Sequence, residues 1–123
     1  MNLYGEHPSN VDAKGRVCLS KDFGELHYLG IAVCSDPAFE DSRHLTLFQS
    51  PPKNTELHPV RIDALRRVLL NNEMRDYIGI RKGGEVVVAG VINRIEIWNP
   101  ETRERYLAYL DEHQHEYLVA HPL

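Results

Sequence analysis

No segment of the chain approaches the ~20 consecutive apolar residues that a membrane-spanning helix requires. The opening MNLYGEHPSN has neither the basic start nor the apolar run of a secretory leader, so a cytoplasmic protein with no membrane partner is expected. Cysteine is scarce: Cys18 and Cys34 lie inside the apolar runs VCL and IAVC, with no CxxC pair and no matching histidine spacing. That pattern excludes a zinc ribbon or finger and predicts two buried, reduced thiols. The histidines are scattered, and the one cluster, His113, His115 and His121, falls in a polar terminal stretch, so no metal site is expected. There is no recurring Ser/His/Asp or Cys/His set and no phosphate-binding glycine loop, and GGE at 83–85 reads as a hairpin turn. An enzyme is therefore not expected, nor a cofactor or a small-molecule substrate.

An excess of positive charge is also missing. The chain carries 14 Lys/Arg against 18 Asp/Glu, a formal charge of −4, which argues against nonspecific coating of nucleic acid. The charge is uneven, however: residues 61–94 hold seven basic against four acidic side chains, whereas residues 95–123 hold two against six. A locally basic surface is compatible with the acidic total.

The dominant positive feature is a repeat. Residues 11–20 read VDAKGRVCLS and, fifty-one positions later, residues 62–71 read IDALRRVLLN. Asp12 aligns with Asp63, Ala13 with Ala64, Arg16 with Arg67, Val17 with Val68 and Leu19 with Leu70, without a gap. Similarity resumes one residue out of step as LTLFQSP at 45–51 against IEIWNPE at 95–101. Alternation at Val17 and Leu19 predicts a short strand, and Ser20 with Asp22 predicts a helix start at SKDFGEL. IAVC reads as a buried strand, SDPAFEDSRH as the turn after it, and LTLF as the returning strand. The second half repeats the order: RVLL strand, NNEMRDYIGI helix, RKGG turn, EVVVAG strand, VINR turn, IEIW strand.

A unit of about fifty residues with one short helix buries too little apolar area to offset ~1–2 kcal/mol of backbone entropy per residue. The halves must therefore share one core, and paired strand edges related by a pseudo-twofold axis close such a sheet into a small barrel. The expected organisation is one domain over 1–123: a first repeat at 3–50, an extended proline-rich linker at 51–60, a second repeat at 61–98, and a terminal helix at 99–118. Asn99, Pro100 and Glu101 are good residues for the start of that helix. Tyr106, Leu107, Leu110 and Tyr117 recur at helical spacing and predict a face packed on the chain's own domain. Trp98 and Phe48 close corresponding strands and are expected to be buried.

DAKGRV near the start and VVVAGVINRIEIWNPE near the end resemble the MraZ proteins, bacterial transcriptional regulators linked to the division and cell-wall gene cluster. The resemblance extends to the swapped-hairpin AbrB-type DNA-binding domains. It covers roughly residues 3–50 and 60–110. It implies a mainly β fold with short helices (α+β), namely a double-split β-barrel of two pseudo-twofold-related ββα-type repeats plus a C-terminal helix. It further implies a homo-oligomer, such as a ring, acting on repeated sites in double-stranded promoter DNA in the cytoplasm, nucleoid-associated. Carried over position by position, the family's DxxxR motif falls on Asp12 with Arg16 and on Asp63 with Arg67.

Arginine's planar fork suits phosphate or guanine, and an aspartate four residues earlier can hold the loop. Arg16 and Arg67 are thus expected to contact DNA, with Lys14 and Arg66 as further cationic contacts, while Asp12, Asp63 and Gly15 shape the loops. The bland alternative is that each Asp/Arg pair is only a surface ion pair. Arg61, Arg75, Arg81, Lys82 and Arg94 are weaker candidates for contact, most of them expected to be solvated charges and Arg94 to be structural. Arg66 stands where the first half has Gly15; if that position needs positive φ, either strain or a different turn follows. Two other functions fit the same sequence less fully: an oligomeric interaction protein with degenerate DNA binding, and an AbrB-like antitoxin.

Overall fold

The computed structural model describes residues 3–24, 30–50, 52–91 and 94–113. Among these residues, eight strands and two helices follow one another as β1 Leu3–Asn10, β2 Arg16–Cys18, β3 Gly30–Asp36, β4 Phe39–Phe48, β5 His58–Pro59, β6 Arg67–Leu69, α1 Asn72–Ile78, β7 Glu85–Val91, β8 Arg94–Trp98 and α2 Pro100–Glu112. The fold is mainly antiparallel sheet with two helices. Six strands form one sheet in the order β1-β7-β8-β4-β3-β5, and β2 pairs with β6 in a separate ribbon.

Two of the pairings between the halves, β2 with β6 and β4 with β8, are centred on equivalent residues. In the ribbon, Val17 lies opposite Val68, flanked by Arg16 opposite Leu69 and Cys18 opposite Arg67. In the large sheet, Thr46 lies opposite Glu96, flanked by Leu45 opposite Ile97 and Leu47 opposite Ile95. The strand order is accordingly palindromic, exchanging β1 with β5, β7 with β3 and β8 with β4. His7-Pro8 on β1 and His58-Pro59 on β5 occupy matching registers against β7 and β3. The gap-free repeat therefore begins at HP, four residues ahead of VDAKGRVCLS.

The core is built from pairs across this axis. Val17 and Val68, Leu19 and Leu70, Leu45 and Ile95, Leu47 and Ile97, and Phe23 and Met74 all join one buried cluster. Alternation explains the selection, because on a strand every second side chain faces the same way. The same rule corrects the expectation for the thiols. Cys18 sits between inward Val17 and Leu19 and is exposed, while Cys34 is half-buried. Burial pushes the Cys34 thiol above its ordinary value.

The first repeat's predicted helix is a single 3-10 turn, Lys21–Phe23, capped by Ser20 Oγ accepting from Asp22 N–H and ended by Gly24 at φ 67°; the rest of SKDFGEL lies outside the described residues. The second repeat forms a two-turn helix, with Asn71 Oδ1 accepting from Met74 N–H and Gly79 in the left-handed conformation at its end. The predicted SDPAFEDSRH turn shrinks to a tight hairpin, with Asp36 opposite Phe39, as β3 and β4 run into it. Within the expected linker, β5 adds to β3, and Asn54 takes φ 63°.

Helix α2 is capped as expected: Asn99 Oδ1 accepts from Glu101 N–H at 3.0 Å, and Asn99 Nδ2 donates to Ile78 O at 3.0 Å. Its predicted continuation to 118, Tyr117, His115 and His121 lie outside the described residues. The packed face keeps Tyr106 and half-buried Leu110 of the expected one, adds Tyr109 and leaves out Leu107. Tyr106 and Tyr109 stack on Phe39, Tyr106 also on Trp98, whereas Leu107 is exposed. Trp98 and Phe48 are 1% and 9% exposed, as their positions predict.

Beside Trp98 lies a buried polar knot. Glu96 accepts a hydrogen bond from Trp98 Nε1–H at 3.2 Å and faces Arg94 at 3.4 Å, Arg103 at 3.7 Å and His44 at 3.8 Å. His44 stacks on Trp98 with ring centroids 4.0 Å apart. Burial holds the His44 imidazole below its ordinary 6.5, although Ser42 O and Glu96 act in the opposite direction. The native state therefore resists a proton that the unfolded chain accepts. Stability is full above about pH 6.5 and declines as pH falls from there to the lowered native value. Thermal melts at pH 7.5 and 5 are expected to show this loss, and His44→Phe should reduce it; an unchanged pH dependence in the variant would contradict the assignment.

Candidate nucleic-acid interface

Two loops leave the β2/β6 ribbon, one from each repeat, with the same internal chemistry. In the first, Asp12 Oδ1 accepts the N–H groups of Lys14 at 2.9 Å and Arg16 at 2.8 Å, and Asp12 Oδ2 accepts Arg16 Nε–H at 2.7 Å. In the second, Asp63 Oδ1 accepts Leu65 and Arg67 N–H at 2.9 Å each, and Oδ2 accepts Arg67 Nε–H at 2.8 Å. The backbone closes both loops identically: Asp12 N–H donates to Arg16 O and Gly15 N–H to Asp12 O, matched by Asp63 N–H to Arg67 O and Arg66 N–H to Asp63 O. Each aspartate carboxyl is held below its usual value, first by the backbone N–H of its arginine and then by the guanidinium and a second N–H. Both stay ionised at neutral pH.

Each loop is also tied to the opposite repeat. Leu19 N–H donates to Arg66 O at 2.8 Å, and Leu70 N–H donates to Gly15 O at 2.9 Å. Gly15 and Arg66 both take positive φ, 84° and 63°, so the two turns are alike and the arginine carries the strain. Its side chain offers compensation. Arg66 donates through Nε to Leu19 O at 3.3 Å and through Nη2 to Ser20 O at 2.7 Å. The equivalent carbonyl, Leu70 O, receives Arg75 Nε–H from α1 at 3.2 Å. A Cβ on Gly15 would stand 3.1 Å from Leu70 O and 3.6 Å from Arg75 Nε. Among the described residues the first repeat has the Lys21–Phe23 turn at the start of the corresponding stretch, with Gly24 where α1 has Arg75, and Arg66 caps that carbonyl from within its own loop.

The ribbon thus brings Arg16 and Arg67 to one face, diagonally across the strands, a relation that separates residues by roughly 7–8 Å. Both side chains are partly exposed, at 26% and 29%, and the hydrogen bonds among the described residues engage Nε alone. The Nη groups remain for other acceptors. Lys14 is exposed and forms no ion pair among the described residues. Arg66, expected beside Arg67 as a free cation, is engaged with backbone carbonyls. Arg81 and Lys82, the weaker candidates, are exposed in a turn bound to Val11 next to the Asp12 loop, through Gly83 N–H to Val11 O at 2.6 Å and Val11 N–H to Gly84 O at 2.9 Å. Sequence spacing carries no signal for that approach, which depends on β1 pairing with β7.

These features define a small, internally duplicated β protein whose twin Asp/Arg loops are displayed on one shared ribbon. A family model described as "MraZ protein, putative antitoxin-like" matches residues 55–119. The chain is similar to the transcriptional regulator MraZ of Bifidobacterium longum, 46% identical over 130 residues that span 89% of this chain and 85% of that protein. It is 34% identical over 126 residues to the protein of the same name from Finegoldia magna, spanning 82% and 83%. With that of Saccharopolyspora erythraea it shares 47% over 58 residues, and there the match spans 37% of the relative's length. The chain belongs to the MraZ family.

Because Gly15 sits at positive φ against a backbone oxygen, Gly15→Ala is expected to cost about 1–2 kcal/mol. Arg66→Gly relieves strain while losing two hydrogen bonds, whereas Arg66→Ala loses both bonds and keeps the strain. Urea unfolding should place Arg66→Ala below Arg66→Gly by about 1 kcal/mol, and the reverse order would refute the shared-turn account.

Proposed function

We propose that this chain is a DNA-binding transcriptional regulator that meets double-stranded DNA with the β2/β6 ribbon and its two loops. The observation that carries the reading is the pair of symmetry-related arginines, each oriented by its own aspartate through Nε and left with Nη groups to offer. A two-stranded ribbon fits the major groove of B-DNA, where an arginine fork can reach guanine O6 and N7 or bridge a phosphate. Lys14 supplies a phosphate contact, Arg66 holds its loop in register and lends charge beside Arg67, and Asp12, Asp63 and Gly15 position the loops. The architecture is read as a double-split β-barrel of one domain.

Few basic contacts per chain and an overall charge of −4 imply that affinity is built by several chains on repeated sites, since linked binding raises avidity ~10²- to 10⁴-fold without new contacts. A homo-oligomer, ring-shaped if closed, acting at promoter repeats of the division and cell-wall cluster and associated with the nucleoid, is the consistent biological setting. The relatives from Bifidobacterium longum and Finegoldia magna are named transcriptional regulators, which supports the same class.

Arg16→Ala and Arg67→Ala are each expected to weaken binding to the DNA upstream of the chain's own gene, and each should reduce the slope of log affinity against log salt by about 1 if its contact is to phosphate. Parent-like binding by both variants would sink the assignment of contacts. Absence of any binding by the parent at low salt would favour an oligomeric interaction protein instead.

A further inference from the structure

The ribbon is symmetric in backbone but not in chemistry. Its outward positions are Arg16 and Cys18 on β2 and Arg67 and Leu69 on β6, with Arg16 directly opposite Leu69 and Cys18 opposite Arg67. At the loop tips, Lys14 in the first repeat corresponds to Leu65 in the second. Leu65 and Leu69 are 65% and 58% exposed, more than Val33 or Leu107, the other exposed large aliphatic side chains among the described residues. The two leucines flank Arg67 at a distance of two residues on either side. Neither is needed to fill the core, which Val68 and Leu70 already occupy.

Exposed leucines set among arginines on a surface that meets DNA cannot donate or accept hydrogen bonds. The apolar feature that a base pair presents in the major groove is the thymine 5-methyl group. We propose that Leu65 and Leu69 are specificity-determining residues that pack on thymine methyls, Leu65 beside the base or phosphate held by Arg67 and Leu69 beside the one held by Arg16, while Lys14 rests on phosphate. The occupant is double-stranded DNA, argued from the cationic neighbours Arg16, Arg67 and Lys14. The two ends of the ribbon then differ, Leu69 beside Arg16 and the Lys14 loop at one and Leu65 beside Arg67 at the other, so a site is read in one orientation. This inference rests on the DNA-binding reading given above.

The test uses the full chain and a duplex enriched by it from a random-sequence pool. Each thymine of that duplex is replaced in turn by deoxyuridine, which removes the methyl group alone, and affinity is measured by fluorescence anisotropy. The parent is expected to lose roughly fourfold at one or more positions, the factor that corresponds to about 0.8 kcal/mol per buried methyl-sized group. Leu69→Ala or Leu65→Ala should abolish the loss at its own position while leaving the melting temperature close to the parent's, since both side chains are exposed. A parent indifferent to every replacement, or alanine variants that keep the full thymine dependence, would overturn the inference with the DNA-binding reading intact. Failure to enrich any duplex would overturn both. Alanine variants that change subunit number by light scattering without changing thymine dependence would assign the leucines to protein contact and overturn it as well.

Discussion

The antiparallel crossing of β2 and β6 is the constraint on which the rest depends. Each strand comes from a different repeat, and each contributes only three residues. Leu19 and Leu70 reach across to carbonyls in the opposite loop, so the acceptors that finish one half are supplied by the other. Isolated short hairpins and ribbons are marginal in water without packing beneath them. Here Val17, Val68, Leu19 and Leu70 provide that packing, joined by Leu45, Leu47, Ile95 and Ile97 from the six-stranded sheet. The arginine-bearing loops consequently take shape only when both repeats have come together, and folding and assembly of the candidate interface are one event.

Much of this was legible in the residues, because duplication writes the same physical instruction twice. Asp four residues before Arg, and Val and Leu in alternation, were enough to locate both loops and both central strands. Helix starts were legible for the same reason: Ser20, Asn71 and Asn99 each accept the N–H that an N-cap should. What escaped depended on distant partners. Strand β1, rich in polar residues with Gly5 and Pro8 inside it, has no strand-like alternation of its own and exists because β7 offers it a full edge. Cys18 was misassigned because an apolar run on a three-residue ribbon has one face in water. The capping role of Arg66 and Arg75 requires knowing which carbonyls the crossing leaves open, and local spacing carries no such information.

The departures from symmetry are as informative as the symmetry. Gly15 leaves room for Arg75 to cap Leu70 O, and in the first repeat, where Gly24 stands at the position of Arg75, Arg66 fills the corresponding role while accepting a positive φ. The two ends keep the same backbone by different side-chain means. That equivalence keeps Asp12/Arg16 and Asp63/Arg67 alike within about 0.1 Å in their Nε contacts, 2.7 and 2.8 Å, despite the divergence around them.

Thr46 and Glu96 face one another on the pseudo-axis, and both are buried. A residue on such an axis meets its own counterpart whenever two copies of the same half associate. Two copies of the second half would set one buried carboxylate directly against another, an arrangement that like charges across a strand pair disfavour. Two copies of the first half would set Thr46 against Thr46 and lack Glu96 together with the Arg94 and Arg103 that approach it. The central seam therefore discriminates heterotypic from homotypic partners, and it gives nascent chains emerging side by side a built-in bias toward completing themselves before entangling with a neighbour.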